Sequence, residues 1–240
     1  MPRRIRGWID GACYHITHRC HKREYLFKFA KYREIYLRQL WEMKQRFKVD
    51  ILDYMITSNH VHLLLTARHG GDISGALQFL HGAVGQKYNA LKKRQGAFWS
   101  DRFHATRIQS GDHLRRCLFY IDLNMVRAGA VEHPAEWTHC AIHELLGKRQ
   151  RYLIVNMKRL LQCLDISSKK AFRTWYLKTL DEKLACISHD REEYWSEAIA
   201  VGDPDWLQKA AREAGIKRYV VKDNNADDKN AYISFMAGKN

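Results

Sequence analysis

The stretch Thr57-Ser58-Asn59-His60-Val61-His62-Leu63-Leu64-Leu65-Thr66 carries two histidines, one residue apart, within an apolar run. In a β-strand successive side chains point to opposite faces, so His60 and His62 lie on one face and the apolar alternates lie on the other. The apolar face packs on a core and holds both rings in place. Two adjacent imidazoles can share a metal ion, but a third ligand is required. Taken alone, the pair is more often ordinary strand histidine.

The common zinc signatures do not supply that third ligand. Neither His-Glu-x-x-His nor His-x-Glu with Pro-Cys-x-x-Cys occurs in the chain. These are the motifs of zinc peptidases and of zinc deaminases. The sequence therefore disfavours both classes of enzyme.

The charge of the chain favours a polyanionic partner. Its 240 residues include 41 Lys and Arg against 26 Asp and Glu, a formal net charge of +15. Residues 1–150 hold 25 basic and 13 acidic side chains, whereas residues 151–240 hold 16 and 13. Such an excess attracts nucleic acid and is weakened by salt. Charge alone does not exclude a solvated basic surface, but it indicates that the first part meets the polyanion.

The cysteines and the hydropathy indicate a reduced, cytoplasmic chain. Six cysteines are scattered without a Cys-x-x-Cys pair, and the start does not resemble a secretory signal. No apolar run approaches the roughly 20 residues that cross a bilayer. We expect no membrane partner.

Hydrophobic periodicity predicts the order strand, helix, strand, strand, helix, strand, helix in the first part. The predicted elements are strand 11–20, helix 31–47, strands 49–57 and 60–66, a helix from 72 or 74 to 94, a short strand ending at 108, and helix 113–128. This order is typical of an α+β fold, the ferredoxin-like split β-α-β sandwich, with helices on one face of an antiparallel sheet and a free face for a ligand.

The second part has a different character. Helices are predicted at 157–164, 168–184 and 204–214, with a small strand at 219–221. We therefore expect a domain of residues 1–150 and a mainly helical C-terminal domain of residues 151–240, which packs on the first or extends its DNA-contacting surface.

The predicted helix 113–128 carries a second set of polar side chains. Tyr120 and Asn124 are four residues apart, so they share one helical face, with Arg116 and Arg127 near it. A tyrosine hydroxyl, an amide oxygen and flanking arginines suit phosphoryl transfer. Helical tyrosines more often pack and helical asparagines are more often solvated, so this pattern alone also favours a structural role.

Three ordered motifs carry a family resemblance. They are Tyr14-His15-Ile16-Thr17-His18-Arg19, then Ser58-Asn59-His60-Val61-His62-Leu63-Leu64, then Tyr120-Ile121-Asp122-Leu123-Asn124-Met125-Val126-Arg127-Ala128-Gly129. Together they resemble the motif set of the single-tyrosine HUH transposases, and within them the REP-associated tyrosine transposases. The resemblance extends from Tyr14 to Val131.

The resemblance implies a metal-dependent endonuclease and strand transferase that acts on single-stranded or hairpin DNA of the REP kind. It implies that His60, His62 and Asn124 bind Mg²⁺ or Mn²⁺ and that Tyr120 is the nucleophile, through a 5′-phosphotyrosine intermediate. It also implies a bacterial, nucleoid-associated protein without a small-molecule substrate, and it favours a monomer over a dimer.

DNA contacts are expected from basic and aromatic side chains of the first part. The candidates are Arg3, Arg4, Arg6, His15, Arg19, Lys22, Arg23, Lys92, Lys93, Arg94, Trp99, Arg102, Arg107, Arg116 and Arg127.

Two positions depart from the family pattern. Met125 stands where proline usually follows the helical asparagine, and Cys20-His21 stands where Gly-Asn commonly follows the first motif. The bend of the helix and the DNA contacts of the first strand therefore stay open.

Two other functions also stay open: a domesticated protein that holds structured repeat DNA without cutting it, and a metal-free RNA-binding domain. The latter would need stacking aromatics on adjacent strands, of which the sequence has few.

Overall fold

A computed structural model describes residues 7–188, 190, 192–223 and 231–235. The predicted DNA contacts Arg3, Arg4 and Arg6 lie outside these residues. Within the described part, seven strands form one sheet. The strands are β1 Cys13–Arg19, β2 Val49–Ile56, β3 His60–Ala67, β4 His104–Ile108, β5 Ala200–Gly202, β6 Tyr219–Asp223 and β7 Ala231–Phe235.

The sheet has the order β2-β3-β1-β4-β5-β7-β6. All neighbouring strands are antiparallel except β4 and β5, which are parallel. In β3, Val61, Leu63 and Leu65 are fully buried, as expected of the apolar face, and the residues between them are buried as well. The register places His62 opposite Thr17 of β1 and Met55 of β2. The histidine strand is therefore central, paired on both sides.

Nine helices of the described residues accompany the sheet. They are α1 Ala30–Arg46, α2 Gly71–Lys92, α3 Asp112–Asp122, α4 Asn124–Arg127, α5 Ile142–Leu145, α6 Met157–Leu164, α7 Lys169–Ala185, α8 Tyr194–Glu197 and α9 Pro204–Glu213. The molecule is thus a mixed α+β protein with a mostly antiparallel sheet.

Helices lie on both faces of the sheet, which differs from the predicted one-sided arrangement. His18 of β1 contacts His81 of α2, whereas His15 of the same strand contacts Tyr120 of α3. Because residues three apart in a strand point to opposite faces, α2 and α3 lie on opposite sides. The face expected to be free for a ligand is therefore covered by α3.

The second part of the chain joins the same sheet. Strand β5 pairs in parallel with β4 at Arg107 and Ile108, and β7 and β6 continue the sheet beyond it. Of these three strands, only β6 was predicted. Strand β5 was missed because it has three residues and no recognisable alternation. The C-terminal part therefore combines helices with three strands, and the division at residue 150 stays a prediction. Among the described residues, no helix is both long and apolar enough to span a membrane.

Candidate active site

The turn before β3 fixes the ring of His60. Its Nδ1 lies 2.7 Å from Asn59 Oδ1 and 2.9 Å from Thr57 Oγ1. Because an amide oxygen only accepts hydrogen bonds, Nδ1 is the donor. The lone pair of His60 therefore resides on Nε2, the nitrogen that lies farther from the backbone.

A chain of hydrogen bonds fixes the ring of His62. His15 Nδ1 lies 2.7 Å from the carbonyl oxygen of Trp195, and His15 Nε2 lies 2.8 Å from His62 Nδ1. A carbonyl only accepts, so His15 Nδ1 carries the hydrogen and, in the neutral ring, Nε2 accepts from His62 Nδ1. The lone pair of His62 is therefore on Nε2, which faces Asn124.

Burial keeps these rings neutral. It lowers the pKa of His15 to about 4, although the hydrogen bond to the Trp195 carbonyl acts in the opposite direction. Burial, followed by the positive fields of His60 and His15, also lowers the pKa of His62 well below its ordinary value. Neutral imidazoles are the form that binds metal ions. His62 is thus in the protonation state of a ligand at neutral pH.

A break in the helix brings Asn124 to this pair. Helix α3 ends at Asp122, Leu123 has ψ 2°, and the short helix α4 starts at Asn124. The predicted single helix 113–128 is therefore two helices, and the bend occurs without a proline after Asn124. The Asn124 amide nitrogen lies 3.2 Å from His62 Nε2. Residues 62 positions apart in the sequence thus meet, as the resemblance implied.

Tyr120 lies in a ring of aromatic side chains and is only 4% exposed. Its ring centroid is 5.8 Å from that of His15, 5.9 Å from that of His62 and 5.9 Å from that of Trp195. The guanidinium of Arg127 lies 4.5 Å from the centroid of the Tyr120 ring and donates to the carbonyl of Tyr120. A cation in this position favours negative charge on the phenol oxygen.

The donor set fits a divalent cation. The imidazoles of His60 and His62, at alternate positions of β3, have ring centroids 4.8 Å apart, and an amide side chain stands beside them. Nitrogen and oxygen donors of this kind suit Mn²⁺ and, with additional water or phosphate oxygens, Mg²⁺. The described residues contain no group of three His, Cys, Asp or Glu side chains that could hold a metal. The Asn124 amide lies beside His62 and is a candidate for a further donor.

Several predicted DNA contacts lie beside this site. Lys22 and Arg23 are exposed in the turn after β1, and the Asn59 amide donates to the carbonyl of Arg23. Arg19 is opposite His60 in the register of β1 and β3. Arg19 and the turn that follows it therefore lie close to His60. Arg102 is exposed near the start of β4, and Arg116 lies on α3, half-buried.

A second basic group is found at the end of α2. Lys92 and Lys93 are exposed, and Arg94 bonds to Asn89 and lies 3.8 Å from Glu24. The backbone of Lys93 has the left-handed helical conformation, with φ 48°, so the chain turns sharply here.

Three predicted contacts have internal partners. His15 is fully buried with both ring nitrogens bonded, so it offers no surface to DNA. Trp99 stacks on His18 at 4.0 Å and donates to the His81 carbonyl, so its ring packs inside the fold. Arg107 pairs with Glu213 at 2.7 Å and lies over Trp206. His15 and Arg107 have internal partners because β1 and β4 are interior strands, whereas Trp99 lies before β4 and packs on His18 of β1.

Sequence analysis did not identify the part played by Trp195. It lies 75 positions after Tyr120, in a four-residue helix with no recognisable motif. The residue type of Trp195 could not have indicated this part, because the group that orients His15 is its backbone carbonyl.

The first part of the chain is similar to a class of protein, the DNA transposases. Residues 9–124, just under half of the chain, match the model of the family described as Transposase IS200 like. The family resemblance drawn from the three motifs is thereby confirmed.

Solved structures with a similar fold include a REP-associated tyrosine transposase bound to a REP hairpin. It is 19% identical, with a TM-score of 0.52, and the match covers 62% of this chain and 87% of the other. A candidate transposase from Deinococcus radiodurans R1 is 15% identical, with a TM-score of 0.36, covering 53% of this chain and 97% of the other. At these identities the likeness concerns the fold. No curated protein matches the chain.

Proposed function

We propose that this transposase is a metal-dependent single-stranded DNA endonuclease and strand transferase with Tyr120 as its nucleophile. The observation that carries the proposal is the convergence of Tyr120, His62 and Asn124 within one chain. A tyrosine beside neutral imidazoles and a cationic guanidinium is an arrangement for attack on an anionic phosphodiester.

His60 and His62 through Nε2, and Asn124 through its amide oxygen, would hold a Mg²⁺ or Mn²⁺ ion. When bound, this ion supplies positive charge that polarises the scissile phosphate. The hydrogen bonds of Asn59 and His15 keep both lone pairs directed away from the backbone partners. Asn124 turns its amide, so that Oδ1 rather than Nδ2 faces the site.

The chemical step exchanges one phosphoester bond for another. The phenol oxygen of Tyr120 attacks the phosphorus, the bond from phosphorus to the 3′ oxygen breaks, and the proton lost by the phenol balances the one gained by the 3′-hydroxyl. Arg127 over the ring stabilises the phenolate as it forms. Because the 5′-phosphotyrosine retains the energy of the phosphodiester, another 3′-hydroxyl can reverse the step and join new ends.

We propose hairpin DNA with a single-stranded flank as the substrate. The similar structure that holds a REP hairpin supports this choice, as does the exposed basic turn at Lys22 and Arg23 beside the histidine strand. We also propose DNA contacts for Arg19 and Arg116, and for Lys92 and Lys93 at the end of α2.

The architecture is proposed to be a ferredoxin-like unit with an appended C-terminal domain. The order β2-β3-β1-β4, with α1 and α2 in the two crossovers, supports this interpretation for residues 1–150. Residues 151–240 complete the site through Trp195. Because Tyr120 meets His62 of its own chain, a monomer is sufficient for the reaction.

The test is formation of a covalent protein–DNA adduct. A 5′-labelled and a 3′-labelled hairpin are incubated with the protein and Mn²⁺, and the products are separated under denaturing conditions. We expect an adduct that retains the label lying 3′ of the cut and disappears in Tyr120→Phe. Tyr25→Phe is the matched control, because Tyr25 is 67% exposed and loss of its hydroxyl leaves the packing of the fold unchanged. An adduct that persists in Tyr120→Phe would remove Tyr120 from the role.

A second function, binding of structured repeat DNA without cleavage, is favoured by one observation. Tyr120 is 4% exposed and Trp195 lies against it, so the phenol is poorly accessible to a strand. Single-turnover assays with excess protein decide between the two functions. Hairpin retention without any cut product in Mn²⁺ supports the binder, and a chelator-sensitive cut excludes it.

A further inference from the structure

A groove on the face of the sheet opposite Tyr120 has the chemistry of a polyanion site. One wall is the outer side of α1, and the other is the segment 148–154 that follows α5. The cavity has a volume of about 1100 Å³. None of the residues predicted as DNA contacts lines it.

The groove is strongly basic. Six cationic side chains line it against two carboxylates, those of Glu34 and Glu42. The cations are Lys31, Arg38, Lys87, Lys148, Arg149 and Arg151. Glu42 lies 3.9 Å from Lys87, and the buried carboxylate of Glu144 lies 3.6 Å from Arg149. The other four cations therefore face one carboxylate, that of Glu34. The remaining field is positive on both rims.

Internal contacts hold the groove open. Arg149 donates to the Tyr54 hydroxyl at 2.6 Å and to the Thr138 carbonyl at 3.1 Å. Lys44 of α1 donates to the carbonyl of Leu153 at 2.9 Å. These bonds fix the segment to β2 and to α1, so the two rims keep their separation without a bound partner. Preformed charge of this kind binds without an ordering cost.

The position of the groove follows from helix packing. Tyr36 of α1 bonds to His81 of α2, and α2 lies on the face opposite α3 and Tyr120. The segment 148–154 runs beside the edge strand β2, because Val155 and Asn156 pair with Ile51. The groove therefore lies behind the sheet, near its edge, and is separate from the proposed site of cleavage.

We propose that this groove binds the phosphate backbone of the duplex stem of a DNA hairpin, an inference that rests on the proposed function. Lys31 and Arg38 stand about 10 Å apart along α1 at 1.5 Å per residue. Measured along the axis of a duplex, this distance spans about three phosphates of one strand, since each strand has one phosphate for every 3.4 Å of axis. Point charges spaced in this way suit a backbone of regular pitch.

A single strand fits the groove less well. Binding of unpaired bases requires successive aromatic platforms. The groove offers one aromatic pair, Trp41 and Tyr152, whose rings meet edge to face at 5.7 Å. The exposed ring of Tyr152 lies at one end, where it can border a strand without stacking a series of bases. The catalytic face takes the single-stranded flank, and the groove takes the stem.

The test is equilibrium binding by fluorescence anisotropy, in the Tyr120→Phe background and without divalent metal. The probes are a labelled DNA hairpin with a single-stranded flank, a linear DNA oligonucleotide of the same length, and an RNA hairpin of the same sequence. Two charge reversals address the rims separately: Lys31→Glu with Arg38→Glu, and Lys148→Glu with Arg151→Glu. All four side chains are exposed. Lys169→Glu with Lys170→Glu, exposed on α7, is the matched control.

Each rim variant is expected to weaken binding of the DNA hairpin at least about tenfold and to flatten the salt dependence of log Kd by about 1.8 units, the value for two lost phosphate contacts. The linear strand and the control variant change less than about threefold. Two rims keep the test decisive if one variant fails to fold. Hairpin affinity equal to that of the control in both rim variants overturns the proposal. Equal loss for the linear strand, or tighter binding of the RNA hairpin, also overturns it.

These outcomes are independent of the cleavage chemistry. At protein concentrations well above Kd, cleavage of the flanked hairpin by the rim variants, with Tyr120 present, is expected to stay at the wild-type rate. If the rim variants bind the hairpin like the control while the wild type cleaves DNA, the groove proposal fails. If the rim variants lose hairpin affinity while the wild type does not cleave DNA, the proposed function fails.

Discussion

Two pairs of buried histidines lie on opposite faces of the central sheet. On the α3 side, His15 and His62 have ring centroids 5.0 Å apart, nearly parallel. On the α2 side, His18 and His81 are 4.3 Å apart, edge to face. All four side chains are at most 5% exposed. By residue type and burial the two pairs are equivalent.

They differ in what holds each nitrogen. The Trp195 carbonyl orients His15, His15 orients His62, and the chain ends with a lone pair directed at Asn124. In the second pair, His18 bonds to the Asp101 carbonyl and stacks on Trp99, and His81 bonds to the Tyr36 hydroxyl. A buried histidine thus becomes a ligand candidate only when its other nitrogen is held by a donor–acceptor chain that leaves a lone pair facing the site.

The largest expected effect separates the two pairs directly. His62→Ala removes a proposed ligand, so cleavage is expected to fall about 10³-fold or more, with hairpin affinity unchanged in the absence of metal. His81→Ala removes a packed ring and is expected to lower the free energy of unfolding by about 2 kcal/mol, with cleavage retained at temperatures where the variant is folded. Adduct yield and thermal unfolding measure both variants. Equal loss of cleavage in the two folded variants would contradict the distinction.

A smaller effect is expected from the ring that orients the ligand. His15→Ala leaves the His62 ring in place without its acceptor, so Mn²⁺ affinity is expected to fall about 10- to 100-fold. His15→Gln, whose amide oxygen can accept from His62, should recover part of this loss. His18→Ala is the matched control on the other face. Manganese titration followed by electron paramagnetic resonance reads the affinity without DNA.

Ring tautomers give a readout that a merely structural role of His15 would not alter. Long-range nitrogen–proton spectra of the wild type are expected to show His62 protonated at Nδ1, and His15→Ala should give a mixture of tautomers. A single unchanged His62 tautomer in the folded variant would remove His15 from the positioning role.

The α3 face also buries carboxylates. Burial, followed by the negative charge of Asp122, raises the pKa of Asp53 well above its ordinary 3.8. Asp53 Oδ2 and Asp122 Oδ1 have no hydrogen-bond partner among the described residues. The folded state favours protonated Asp53, so stability is fully present below about pH 4 and is lost as the pH rises toward the raised pKa.

Asp53→Asn removes this loss. At pH 8 the variant is expected to be more stable than the wild type by about 1 kcal/mol or more, and at about pH 3, below the unfolded-state pKa, the difference should be close to zero. Urea unfolding at the two pH values measures it. Asp181→Asn, exposed on α7, is the control and should show no such dependence. A wild-type stability that does not decline between these pH values would show that Asp53 is ionised in the fold.

Much of the local structure could be predicted because its causes are local. The alternation of β3 and the period of α1 place their apolar residues, and the predicted helix 157–164 has the bounds of α6. The helix break at Leu123 was not predicted, since Met125 carries no helix-breaking signal. Strand β5 was missed because three residues depend on parallel pairing with β4 for their conformation.

The proposed ligands and nucleophile could be selected from the sequence only through the order of the motifs. Spacing places His60 and His62 together and Tyr120 and Asn124 together, but no local rule brings the two sets into contact. The support of His15 by Trp195 joins residues 180 positions apart. His15 was therefore assigned to DNA on residue type, whereas its burial in an interior strand determines its contacts.

The smallest expected effect concerns the support of the second proposed ligand. His60 Nδ1 has two acceptors, Asn59 Oδ1 at 2.7 Å and Thr57 Oγ1 at 2.9 Å, whereas His62 Nδ1 depends on His15. Because Thr57 remains, Asn59→Ala is expected to lower Mn²⁺ affinity by no more than about threefold, less than His15→Ala. The double variant Thr57→Val with Asn59→Ala should approach the His15→Ala value. A full loss in Asn59→Ala alone would show that the Thr57 hydroxyl, which already donates to the His60 carbonyl, cannot hold the ring, and the two ligands would then depend equally on one partner each.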